Sequence, residues 1–193
     1  MKSTRLAVIA AVLVAPSVPS VVGSTPRAAA ADIASISCDP VVGGGPSPGT
    51  ELDSFDPMLA ERIVDTRSGL GGADGPLDAG CTLRIDTTDL MPDDAQGVAL
   101  SLTVVSQESG FFTAFPCAQG QPSTSSVNAR PGLATANLVV VSPDANGEVC
   151  IFSSAGGHVI VDVSGWWTPG TTRFTPIDPV RAFDTRRLDP PIK

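Results

Sequence analysis

The sequence predicts an all-β protein, an antiparallel β-sandwich of about eight short strands, and three observations carry that prediction. Short apolar runs bounded by turn residues recur along the chain, two of them alternate between an apolar and a smaller or more polar face, and no amphipathic helix follows the first 31 residues. A β-barrel is the alternative, because both architectures share the same side-chain periodicity.

The chain begins with Lys2 and Arg5, an apolar run from Leu6 to Val14, then Pro16, Pro19 and small residues ending in Ala28, Ala29, Ala30 and Ala31. This is the pattern of a secretory signal peptide over residues 1–31, with cleavage after Ala30 or Ala31. The apolar run is too short to span a bilayer, and two prolines would break a spanning helix. Removing the leader reduces 12 basic residues to 9 against 20 acidic ones, so the formal charge moves from −8 to −11. An acidic chain without a basic run argues against nucleic acid as a partner, since phosphate binding needs clustered Lys and Arg. No later segment is long and apolar enough for a membrane span.

Residues 32–54 are rich in Gly, Pro and Ser, including Gly43-Gly44-Gly45-Pro46-Ser47-Pro48-Gly49, and are expected to be a linker pinned at Cys38. The β module is expected over 55–168. Its strand-like runs are Arg62 to Asp65, Cys81 to Thr87, Gly97 to Val105, Gly110 to Pro116, Ser126 to Ala129, Ala136 to Ser142, Gly147 to Phe152 and His158 to Trp166. Val98, Leu100, Leu102 and Val104 form one consistently large apolar face. Val159, Val161 and Val163 do the same in the last run, opposite His158, Ile160, Asp162 and Ser164. Asn146-Gly147 predicts a hairpin joining the runs on either side, because both residues tolerate positive φ. Glu108-Ser109-Gly110 gives a weaker turn signal of the same kind, with Gly110 free to take a positive φ.

Cys38, Cys81, Cys117 and Cys150 in an exported chain read as two disulfides. Zinc would want short Cys or His spacings, and the nearest cysteines are more than 30 residues apart, with one His in the chain. Four cysteines allow three pairings, and sequence alone does not select one. The favoured pairing joins Cys117 to Cys150, at the ends of two strand-like runs, and Cys38 to Cys81, which would clip the N-terminal stretch to the domain.

The chain also repeats itself. Phe55, Pro57, Arg62, Asp65, Thr66 and Arg67 recur as Phe174, Pro176, Arg181, Asp184, Thr185 and Arg186, all offset by 119 residues. That offset is one domain long, so residues 169–193 read as a linker and the opening strand of a second, truncated repeat. The opening signature, with Phe115-Pro116-Cys117, Ser126-Val127-Asn128, Thr135-Ala136-Asn137-Leu138, Glu148-Val149-Cys150-Ile151 and His158 to Trp167, resembles a repeat module of secreted actinobacterial proteins whose opening is usually R-L-L-D-T-R. The resemblance spans Phe55 to Trp167 and implies an exported β module, often repeated or joined to other extracellular domains. It implies the Cys117–Cys150 pairing as well, and carries no activity with it.

Asp65-Thr66-Arg67 is the sharpest polar signature. It reads either as a ligand grip or as an internal Asp–Arg tie in which Thr satisfies backbone groups, and the tie is favoured because such charge-assisted pairs are common structural links. Trp166 and Trp167 follow the last run; one should point inward and the other outward, where it offers a stacking surface for a ligand. Asp86, Asp89, Asp93 and Asp94, and separately Asp144, Asn146 and Glu148, crowd turns. Calcium is the alternative reading of these clusters, but the ordered loop pattern it favours is missing, so no cofactor is expected. His158 and Asp162 share a strand face about 13 Å apart, too far for a direct triad contact, and no G-x-S-x-G elbow accompanies them.

These readings converge on a noncatalytic, secreted binding or spacer module, with a cell-envelope glycan or a surface protein as partner. The alternatives are a secreted hydrolase with an atypical site and a purely structural repeat.

Overall fold

Strict alternation gives each strand one apolar face, and two such sheets bury their faces only against each other. The computed structural model, which describes residues 32–44 and 52–170, has this architecture. Nine strands are present among those residues: β1 (Ala34–Ser37), β2 (Ser54–Asp65), β3 (Thr82–Asp86), β4 (Gly97–Val105), β5 (Gly110–Pro116), β6 (Val127–Ala129), β7 (Ala134–Val141), β8 (Glu148–Ser153) and β9 (His158–Thr168). They form a five-stranded sheet in the order β1-β3-β8-β5-β6 and a four-stranded sheet in the order β2-β9-β4-β7. All pairings are antiparallel, and the sheets pack as a sandwich rather than closing into a barrel. No helix among the described residues is long and apolar enough to cross a membrane. The signal-peptide segment and the second signature at 174–186 lie outside the described residues.

The core follows the alternation read from sequence. Val98, Leu100, Leu102 and Val104 of β4 and Val159, Val161 and Val163 of β9 are buried, and they meet Leu83, Ile85, Phe112, Val149 and Ile151 from the other sheet. Each such aliphatic side chain contributes roughly 1.5–3 kcal/mol on burial.

Two local expectations need correction. Asn146-Gly147 does form a turn, with Gly147 at φ 78° and its N–H donating to the Asp144 carbonyl at 2.9 Å. It joins no hairpin, because β7 and β8 belong to different sheets. The Gly147 carbonyl instead accepts from the Thr87 backbone N–H, docking the turn on the chain beyond β3. The Glu108-Ser109-Gly110 connection likewise passes from one sheet to the other, and Gly110 does not take a positive φ. A turn signal reports local backbone freedom and leaves the pairing partner open. The chain changes sheet at every step except from β5 to β6.

The stretch expected to be a linker also does more than connect. Its Ala34–Ser37 portion is β1, paired in continuous register with Ile85–Thr82 of β3. Val41 packs against a small second cluster formed by Phe115, Cys117, Cys150 and Phe152. Four paired residues and one covalent anchor hold a segment whose composition alone would leave it unordered.

Both favoured disulfides are present, Cys38–Cys81 and Cys117–Cys150. Each joins neighbouring strands of the five-stranded sheet. Cys38 follows β1 and Cys81 precedes β3, extending the Ser37–Thr82 register, whereas Cys117 follows β5 beside Cys150 of β8, opposite Phe115. With the cysteines 33 residues apart in the chain, the Cys117–Cys150 link stabilises by roughly 3–4 kcal/mol through the unfolded ensemble. Replacing Cys117 and Cys150 together by Ser is expected to lower the free energy of unfolding by about that amount in a urea titration; a loss below about 1 kcal/mol would show that sheet pairing alone holds this end.

Candidate functional site

The polar residues singled out from sequence gather where β2 runs beside β9. β2 pairs with β9 in a register broken twice, between Pro57 and Glu61 and between Arg62 and Val64, so regular backbone pairing is interrupted on this edge strand. Side chains supply the missing attachment. Arg62 donates from Nε to Asp162 Oδ1 at 2.8 Å and from NH2 to Oδ2 at 3.4 Å, across the ladder. Its NH1 also reaches Asp65 Oδ2 at 3.4 Å.

Asp65 is 6% exposed and its carboxylate is fully engaged. Arg67 donates to it three times, from the backbone N–H at 3.1 Å, from Nε at 2.8 Å and from NH2 at 2.6 Å. The Arg67 side-chain hydrogen bond outweighs the opposing effect of burial and holds the Asp65 carboxyl down at about 2. The same pairings raise Arg67, through Asp65, and Arg62, through Asp162. Thr66 is fully buried. Its backbone N–H donates to the Val159 carbonyl at 3.1 Å, its Oγ1 accepts the Val159 N–H at 3.0 Å, and Oγ1 lies 3.1 Å from His158 Nδ1.

Asp65-Thr66-Arg67 therefore fastens the end of β2 to β9. His158 and Asp162 are each occupied by a different partner, Thr66 and Arg62. A buried Thr hydroxyl already accepting a backbone hydrogen bond is poorly placed to act as a nucleophile.

The aromatic pair sits at the far end of the same two strands. Strict alternation from Val159, Val161 and Val163 would put Trp167 on the core side. Ser164 breaks the count: Leu100 faces Val163 and Ala99 faces Gly165, so one extra β9 residue forms a bulge. Trp166 consequently falls opposite Val98 on the core side, and Trp167 falls opposite Gly97 on the outer face. There Phe55 packs on Trp167 with ring centroids 4.5 Å apart. Gly165 makes room for that ring, since a Cβ at this position would lie 2.5 Å from Phe55 Cζ. Phe55 is 43% exposed and Trp167 is half-buried, so the pair leaves a stacking surface open to solvent. Beside Trp166, Thr168 Oγ1 donates to Asp56 Oδ2 at 2.7 Å.

The acidic clusters have local partners. Asp144 accepts from the backbone N–H groups of Ala118, Asn146 and Glu148 at 2.9, 2.9 and 3.0 Å. Glu148 pairs with Arg84, and Asp86 accepts from the Thr88 N–H and hydroxyl. Ligand atoms of Cys117, Asp144 and Glu148 lie within 4.8 Å of one another, but Cys117 is spent in a disulfide. Asp89, Asp93 and Asp94 are exposed.

Sequence reasoning brought out Asp65, Arg67, Trp166 and Trp167. It missed Arg62 as the partner of Asp162, a pairing across 100 residues, and Phe55 as the partner of Trp167. One signal for both was present: Phe55, Arg62, Asp65, Thr66 and Arg67 all belong to the repeated signature, in which Phe55, Arg62 and Thr66 reach β9 while Arg67 braces Asp65. Comparison of the chain with protein-family models, curated proteins and solved structures returns no match.

The depressed Asp65 carboxyl sets a pH dependence. Its folded value lies below the ordinary 3.8, so its contribution is fully present above about pH 4 and is lost as pH falls toward 2. Asp65→Asn is expected to cost on the order of 1–2 kcal/mol at pH 7 and to flatten the acid limb of stability, read as urea midpoints between pH 2 and 6. An unchanged acid limb would exclude Asp65 as its source.

Proposed function

We propose that the chain is a noncatalytic, secreted binding module that engages a cell-envelope glycan through the outer face of its four-stranded sheet. The observation that carries this reading is the Phe55–Trp167 pair, which is partly exposed, backed by Gly165, and positioned by a bulge that turns Trp167 outward. A planar aromatic surface held rigidly on strands suits stacking against a sugar ring, and its fixed geometry lowers the ordering cost of binding.

Secretion is supported by the N-terminal pattern and by two disulfides, which persist in oxidising compartments. A noncatalytic role is supported by the engagement of His158, Asp162, Asp65 and Thr66 in structural pairs. The likeness to the repeat of secreted actinobacterial proteins, and the second signature from Phe174 to Arg186, support use of the module in tandem.

Co-sedimentation of the mature chain with purified insoluble envelope polysaccharide, followed by tryptophan fluorescence, tests the proposal. Wild-type protein is expected to bind, and Trp167→Ala to weaken binding up to about tenfold while leaving the circular dichroism unchanged. Binding only to intact cells, abolished by protease treatment of those cells, would identify a surface protein instead. No binding to either would leave a spacer.

A further inference from the structure

The two sheets have four edges, and three of them are guarded. β1 has four residues and is clamped by Cys38–Cys81; β6 has three residues. β2 is long, but it contains Pro57, carries Asp56, Glu61, Arg62 and Asp65, and is broken by two register shifts. Short length, proline, charge and bulges are the devices that stop one sheet from adding to another.

β7 has none of them. It is eight residues long, reads Ala-Thr-Ala-Asn-Leu-Val-Val-Val, and pairs with β4 over Val98–Val105 without a single shift. On its other side no strand is paired with it among the described residues. Its outer face is also unusually apolar. Leu138 is 63% and Val140 47% exposed, Ala134 and Ala136 on the same face are exposed, and Leu133 just before the strand is 57% exposed.

We infer that β7 is a self-association edge, at which two copies of this chain pair β7 against β7 in antiparallel register about a two-fold axis. The occupant is a second copy because the edge is self-complementary. A two-fold axis normal to the sheet keeps outer side chains outer, so centring it on Leu138 sets Leu138 against its own counterpart and Val140 against Ala136 of the other copy. The exposed apolar strips then merge into one. Pairing forms roughly one backbone hydrogen bond per residue and extends two four-stranded sheets into one of eight. The absence of charge on β7 matters in a chain of formal charge −8, because no like charges meet along the paired edge.

The test is sedimentation velocity on the full mature chain with its disulfides intact, over a range of concentration and salt, alongside hydrogen exchange of the 134–141 amides. A concentration-dependent dimer is expected, strengthened by salt as repulsion is screened, with β7 amides gaining protection as the dimer fills. Leu138→Lys combined with Val140→Lys should shift dissociation at least tenfold toward monomer with an unaltered near-ultraviolet circular dichroism. Ala136→Lys, a fully surface change, provides the same reading if the double variant folds poorly. A monomer at every concentration, or a dimer indifferent to these substitutions, would overturn the inference. So would a monomer whose β7 amides stay protected on dilution, which would mean that the chain covers its own edge.

Discussion

The contact on which everything else rests is the one between two apolar faces: Val98, Leu100, Leu102, Val104, Val159, Val161 and Val163 on one sheet, and Leu83, Ile85, Val149 and Ile151 on the other. Neither sheet could keep these residues dry alone. Because the chain crosses between sheets at nearly every connection, neither sheet can be assembled from one contiguous stretch, and their packing and pairing are completed together. The disulfides sit within one sheet rather than between the two, so they fix strand neighbours while the apolar interface fixes the layers.

Against that frame the outer face of the four-stranded sheet is divided by chemistry. Aromatic rings lie at one end, over Gly165; the Arg62–Asp162 and Asp65–Arg67 pairs lie toward the other; bare aliphatic side chains line β7 along the free side. The charged residues are tied to one another and hold β2 in place. The proposed recognition and self-association fall on the aromatic and aliphatic parts of this face.

Much of the architecture was legible because a strand writes its burial into alternate residues. β4 and β9 were readable in that way down to the buried face. β1 was not, since four residues inside a Gly/Pro/Ser-rich stretch carry too little periodicity to register, and its stability comes from Cys38 and β3 rather than from itself. The turn at Asn146-Gly147 was readable as a turn and misleading as a hairpin, because positive φ is a local property and sheet membership is not. Asp65 with Arg67 was accessible as neighbours in sequence, whereas Arg62 with Asp162 depends on a register that only the folded sheet defines. The outward turn of Trp167 depends on one inserted residue, Ser164, which no count of alternation reveals.

The sheet order has a consequence for how the molecule is made. β8 lies between β3 and β5, and β9 between β2 and β4, so the central strand of each sheet is among the last of the described strands to leave the ribosome. Until Thr168 has emerged, the earlier strands lack their main neighbours, and a stable core cannot form from the nascent chain. A polypeptide built in this order stays threadable until β9 has emerged, and it locks only when β8 and β9 slot into the gaps left for them. Under the export proposed above, such delayed closure guards against premature folding on the wrong side of the membrane.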